Sequence, residues 1–153
     1  MKLVATYSHR DGADTWKRRD QYEWLTDIFE APNVAVGAGS TAGIRRHVRD
    51  DLVAAGWAWS PRLAPSSDLR VSAISEDAAF QVQTGNISRA AYDLMKIQYL
   101  YACKRIELAA LAVPSKEAAA RIGSNVAYAD RVWAELQLFD RVVTVPILLI
   151  EFE

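Results

Sequence analysis

Phe80-Gln81-Val82-Gln83-Thr84-Gly85-Asn86-Ile87-Ser88 carries a strand pattern into a helix start through a Gly-Asn break. Upstream, Leu69 to Ile74 and Ala78 to Gln83 flank Ser75-Glu76-Asp77, a polar hinge suited to a hairpin turn. Downstream, Ser88 reads as the N-cap of a helix to about Cys103, with Leu94, Ile97 and Tyr101 on its buried face. Ile106 to Val113 is a nearly continuous apolar run that stops at Pro114. Straight after a helix, such a run predicts a strand buried on both faces and reached by a crossover. Helices at about Ser115–Ile122 and Val126–Leu138 follow, and Val142 to Phe152 closes as another strand. On the N-terminal side, residues 2–7 read as a short strand. The spacing of Trp16, Tyr22, Trp24, Leu25, Ile28 and Phe29 predicts one helix from Thr15 to Phe29. Ala31 to Ser40 is a loop. A helix from Thr41 to Ala55 carries Ile44, Val48, Leu52 and Val53 on one face, with Gly56 behind its end. Ser60 to Asp68, rich in Pro and Ser, is too short to divide the chain. The pattern predicts an α/β fold, a central mixed β-sheet flanked by helices, in a single domain over 1–153.

Composition narrows the function classes. Apolar residues at 51% and charged residues at 24% exclude a disordered or fibrous chain. Eighteen Lys and Arg against nineteen Asp and Glu leave a net charge of −1, so no global basic field draws nucleic acid, and only a local surface could. The lone Cys103 has no internal disulfide partner, which suits a reducing cytoplasm. The short apolar stretch Leu3-Val4-Ala5 makes no signal peptide, and no apolar run reaches membrane-spanning length. Cytoplasmic localisation and no membrane partner are therefore expected. No Cys/His metal spacing, Gly-rich phosphate loop or Ser-His-Asp arrangement is present, and His9 and His47 read as surface residues rather than ligands.

From Phe80 through Ser88 the sequence resembles type II restriction endonucleases of the BglII kind. The resemblance runs on through Arg89–Tyr101, Ala112-Val113-Pro114, Arg121-Ile122-Gly123-Ser124-Asn125 and Phe139-Asp140-Arg141-Val142. Upstream it takes in Asp50-Asp51-Leu52-Val53 and Gly56-Trp57. It covers the chain from about residue 41 onward, and more loosely the opening strand and helix. It implies a restriction-endonuclease-like core of the PD-(D/E)XK type, presenting a β-hairpin to duplex DNA. It also implies a homodimer whose two-fold symmetry matches palindromic DNA. In such enzymes an Asp on the first hairpin strand and a Glu nine positions later hold Mg²⁺, and a Gln or Lys follows two positions after the Glu. The ion polarises the scissile phosphate and activates water.

Here Ser72 stands in the Asp slot and Gln81 in the Glu slot, with Gln83 fitting the third. Mg²⁺ requires hard, preferably anionic oxygens, so these neutral groups predict no bound metal and a catalytically silent or weakened relative that still binds DNA. Glu76 and Asp77, in the turn between the slots, are the candidate substitutes for an active Mg²⁺ nuclease. Asp68 would need a four-residue register shift, about 13 Å along a strand. The resemblance places DNA contacts at Asn86, Ser88, Arg89, Ser124 and Asn125. Asn86 reads equally as a turn residue, while for Ser124-Asn125 a helix cap after Gly123 is the favoured reading. Arg89, Lys96, Lys104 and Arg105 would line one end of the crossover helix and meet phosphates. Lys17-Arg18-Arg19 and Arg45-Arg46-His47-Arg49 are further basic clusters, each offset by nearby Asp residues. Trp57 and Trp59 alternate as on one strand face, and a core position is favoured for them. A protein-interaction module without DNA binding is the alternative from another class.

Overall fold

The computed structural model describes residues 1–153. Its elements in chain order are β1 (Leu3–His9), α1 (Gly12–Arg18), α2 (Tyr22–Asp27), α3 (Thr41–Ala54), β2 (Ala58–Trp59), β3 (Ala73–Ser75), β4 (Ala78–Val82), α4 (Ser88–Ala102), β5 (Leu108–Pro114), α5 (Lys116–Ile122), α6 (Ala129–Leu138) and β6 (Ile147–Phe152). The six strands form one sheet in the order β1-β6-β5-β4-β3-β2. β4, β5 and β6 run parallel. β1 joins β6, and β2 and β3 extend from β4, in antiparallel fashion. The predicted α/β fold with a mixed sheet is what the structure contains.

The parallel centre is buried throughout, because helices cover both faces. Side chains alternate along β5. Leu108, Ala110 and Ala112 join Trp16, Leu25, Phe29, Ile44, Leu52 and Phe80 on the side of α1–α3. Ala109, Leu111 and Val113 join Ile97, Leu100, Val132 and Leu136 on the side of α4 and α6. The small residues of β5 let helices sit close, and the Trp16 indole N–H donates to Ala109 O at 3.0 Å across that layer. Gly12 is required at the start of α1: a Cβ there would lie 2.2 Å from the carbonyl group of Ile147.

Several expected boundaries differ. The single helix expected over Thr15–Phe29 is two, α1 and α2, broken where Asp20 adopts φ 56. Bending there lets Trp24 turn inward beside Trp57 while Trp16 stacks on the other side. Trp57 is buried and Trp59 half-buried against the same core. The first hairpin strand is only Ala73–Ser75, and the last strand begins at Ile147 rather than Val142. Ser88 is not the cap of α4. The N-cap position is Ile87, and just before it Asn86 Oδ1 makes a turn by accepting from the Ser88 N–H and hydroxyl, both at 2.9 Å. His9, expected at the surface, is buried at the end of β1 because its ring meets Val143 O at 2.7 Å. No helix is long and apolar enough to cross a membrane.

Candidate functional site

The two-residue turn Glu76-Asp77 fixes the hairpin register, with Ser75 opposite Ala78 and Ala73 opposite Phe80. One step further places Ser72 beside Gln81. Both are buried, and they hold each other. Gln81 Oε1 accepts from the Ser72 N–H at 2.9 Å and the Ser72 hydroxyl at 3.2 Å, while Ser72 Oγ accepts from the Val82 N–H at 3.2 Å. Gln83 lies just past the end of β4. Its Oε1 accepts from the Gly85 N–H at 2.7 Å, and its Nε2 donates to Asp93 Oδ2 at 2.6 Å. The three slot residues therefore converge at the C-terminal end of β4.

They line a cleft of about 540 Å³ between α3 and α4. Its walls carry Arg45, Arg70, Arg89 and Lys96, and a single carboxylate, Asp93. Asp93 is 4% exposed and fully engaged: Oδ1 takes Lys96 Nζ at 2.6 Å and Oδ2 takes Gln83. Lys96 also donates to Arg70 O at 2.9 Å, tying α4 to the segment that leads into β3. Arg45 donates to Val82 O at 3.4 Å, and Arg70 to Ser60 O.

This donor set does not fit Mg²⁺. The ion seeks anionic oxygens, and both Asp93 oxygens are committed within the protein. The one oxygen of the Gln81 carboxamide is likewise committed to Ser72. No cluster of three His, Cys, Asp or Glu side chains suited to a metal occurs in the structure.

The hinge carboxylates sit elsewhere. Glu76 and Asp77 occupy the opposite end of the hairpin, four strand residues from Gln81, or about 13 Å, and neither lines the cleft. Asp77 is gripped by Arg19 at 2.5 and 2.9 Å, and Arg19 also holds Glu107 at 2.6 Å. The hydrogen bonds from Arg19 hold the Asp77 carboxyl below the usual carboxylate range, and the same contacts raise the Arg19 guanidinium. Glu76 faces solvent beside Trp24 and Trp57 with φ 47.

The expected DNA contacts gather beside the cleft. Ile87 N–H donates to Asn125 O at 2.7 Å and Ala127 N–H to Gly85 O at 2.9 Å, so the Ser124-Asn125 turn abuts Asn86. Ser124 and Asn125 cap no helix, since α6 begins only at Ala129. Lys116 and Arg131 join them around an adjoining depression. Arg89 lines the cleft itself. The four cations expected at one end of the crossover helix are divided. Arg89 opens α4, Lys96 is in the cleft, and Lys104 and Arg105 follow the other end, where Arg105 donates to Leu63 O. Of the two basic clusters, only Arg45 reaches the cleft. Arg49 pairs with Asp50, His47 meets Ile28 O and Asp51, and Lys17 lies over the Tyr22 ring. Asp93, Arg70 and Tyr92 had no signal in the sequence beyond their helical or loop positions.

The family model described as restriction endonuclease BglII/BglIII matches residues 4–152. Among solved structures, the chain is similar to the restriction endonuclease BglII complexed with a DNA 16-mer, with a TM-score of 0.80 at 15% identity over 99% of this chain and 76% of that one. It is also similar to free BglII, with a TM-score of 0.73 at 15% identity over 100% of this chain and 80% of that one. No curated protein matches the sequence.

Proposed function

Because the chain belongs to the BglII/BglIII restriction endonuclease family, we propose that it binds duplex DNA through the cleft and its rim while cutting it slowly or not at all. The observation that carries this reading is the Ser72–Gln81 pair: two buried, mutually hydrogen-bonded neutral groups where the family's metal ligands would stand. Without anionic oxygens there, no ion is held to polarise a phosphate or to lower the pKa of an attacking water. Binding needs none of that. Arg45, Arg70, Arg89 and Lys96 in the cleft, with Lys116 and Arg131 beside it, support a phosphate-tracking surface on a chain of net charge −1. Asn86, Ser88, Ser124 and Asn125 share that rim and are the proposed base- or phosphate-contacting polar groups.

The expected homodimer is supported by Tyr92, Met95 and Tyr99, exposed apolar side chains along one side of α4. Sedimentation velocity reads it. A cytoplasmic setting fits the single exposed cysteine, Cys103.

Two measurements test the proposal. Mobility shift on random duplex DNA should show binding that weakens steeply as salt rises. Plasmid DNA incubated with Mg²⁺ or Mn²⁺ should stay uncut. Salt-insensitive or absent DNA binding would leave the protein-interaction alternative, and nicking abolished by Glu76→Ala or Asp77→Ala would establish an active nuclease with displaced ligands.

A further inference from the structure

We propose that the cleft beside Ser72 and Gln81 is an oxyanion site that takes a phosphate group directly, with no divalent ion between phosphate and protein. The corner that holds a cation in the family has its polarity inverted here. The proposal deepens the DNA-binding reading and rests on it for the source of the phosphate, not for the chemistry of the site.

Gln81 is 6% exposed, and its orientation is not arbitrary. The Ser72 main-chain N–H is a donor only, so the carboxamide end it meets at 2.9 Å is the oxygen. That leaves the Gln81 Nε2 amide, which has no partner within the protein, turned to the cleft that Gln81 lines. A Glu at this position would present a second acceptor there. Gln81 presents a donor.

The same sorting extends outward. Gln83 Oε1 is consumed by the Gly85 N–H, and both Asp93 oxygens are consumed by Gln83 and Lys96. The side-chain carboxylate and carboxamide oxygens of the cleft are thus withdrawn into internal hydrogen bonds. Lys96 neutralises the only carboxylate, while Arg45, Arg70 and Arg89 line the cleft without an acidic partner. What remains facing the opening is the guanidinium groups of Arg45, Arg70 and Arg89, the first two each anchored to a main-chain carbonyl, and the accessible Gln81 amide donor. A divalent cation meets only like charge there. A phosphate oxyanion meets planar, multi-donor groups suited to bidentate pairing, together with a fixed N–H at the floor.

The test uses the intact protein, with EDTA present throughout except in a matched Mg²⁺ series. Anisotropy of a labelled duplex reports DNA, and the thermal midpoint in inorganic phosphate reports the anion alone. Wild type should bind the duplex in EDTA at least as tightly as with Mg²⁺, which competes for the DNA phosphates, and phosphate should raise its midpoint. Gln81→Glu keeps the acceptor for Ser72 but turns the outward donor into an anionic acceptor. It should lose about tenfold or more in duplex affinity in EDTA, and lose the phosphate response. Arg89→Ala, which removes an exposed side chain without a protein partner, should weaken both by about threefold or more and serves if Gln81→Glu folds poorly. A phosphate response without duplex binding would sustain the oxyanion site and overturn the DNA-binding reading. Duplex binding that requires Mg²⁺, or that is unchanged in both variants with no phosphate response, would overturn the oxyanion site and leave DNA binding standing.

Discussion

The two ends of the β3–β4 hairpin make opposite use of polar groups. At the turn, Glu76 and Asp77 supply carboxylates, and Arg19 draws Asp77 together with Glu107 into a clamp between α1, the hairpin and the start of β5. At the open end, Ser72 and Gln81 supply none, and the nearest carboxylate, Asp93, is committed to Lys96 and Gln83. The hairpin therefore carries its negative charge at the turn, about 13 Å from the neutral Ser72–Gln81 pair at its other end. Charge at the turn stabilises the strand pairing. Its absence at the other end leaves the cleft positive. Proximity in sequence between Glu76 and Gln81 says little about chemistry, because a strand separates its two ends as effectively as it joins two residues across a ladder.

The largest effect that sharpens this contrast is at Asp93. Asp93→Ala leaves Lys96, with a side chain only 12% exposed, among the arginines of the cleft without a counter-charge. Chemical denaturation should register a loss of about 3–5 kcal/mol, as for the breaking of other buried ion pairs. A loss below 1 kcal/mol would mean that the pair is solvated and the cleft less organised than its geometry states.

Next comes restoration of the missing acceptors. Ser72→Asp with Gln81→Glu places two carboxylates in a buried corner, and in EDTA the double variant should be less stable than the wild type by about 2 kcal/mol or more. Added Mg²⁺ or Mn²⁺ should recover much of that loss in the thermal midpoint and give a heat signal on titration, because only then do the two oxygens have a cation between them. A midpoint indifferent to the metal would break the correspondence of Ser72 and Gln81 to the metal-binding slots.

The smallest effect belongs to the turn. Asp77→Ala should cost at most about 1 kcal/mol, since the Asp77 side chain is 40% exposed. Because the folded-state pKa of Asp77 is lowered, its contribution is fully present above the unfolded-state range near 4 and disappears as pH falls through the lower folded value. Stability curves of wild type and variant should therefore converge in acid and separate above about pH 4. Duplex affinity should not change. A marked loss of DNA binding in Asp77→Ala would place the turn in the interface and erase the distinction between the ends.

The hairpin was readable from residue types alone because its turn is short and polar, and a two-residue connection pins the register that sets Ser72 beside Gln81. β5 and α4 were readable for a similar reason: a long apolar run and a strong helical period have few competing structures. The rest of the site was not. Asp93 is one polar position on an amphipathic helix, indistinguishable in the chain from a solvated residue, and it becomes part of the site only when α4 packs it against Gln83. Arg70 lies in an irregular segment whose path is decided by contacts to Ser60 and Lys96. The division of the expected Thr15–Phe29 helix at Asp20 leaves no mark in the sequence because both halves share one apolar spacing, and the bend shows only in the packing of Trp24 and Trp57. Ser88 has the residue type of a cap, yet it lies inside α4, and its own N–H is bound by Asn86 two positions earlier.

The position of β6 has a temporal consequence. Ile147–Phe152 lies between β1 and β5, so β1 finds its neighbour only when residue 152, far later in the chain, has been made. Until then β1 and the inner edge of β5 both offer unpaired amides and carbonyls to any passing extended chain. Nascent protein should accordingly depend on chaperone shielding until β6 is made, and loss of those six residues would cut β1 off from the other four strands.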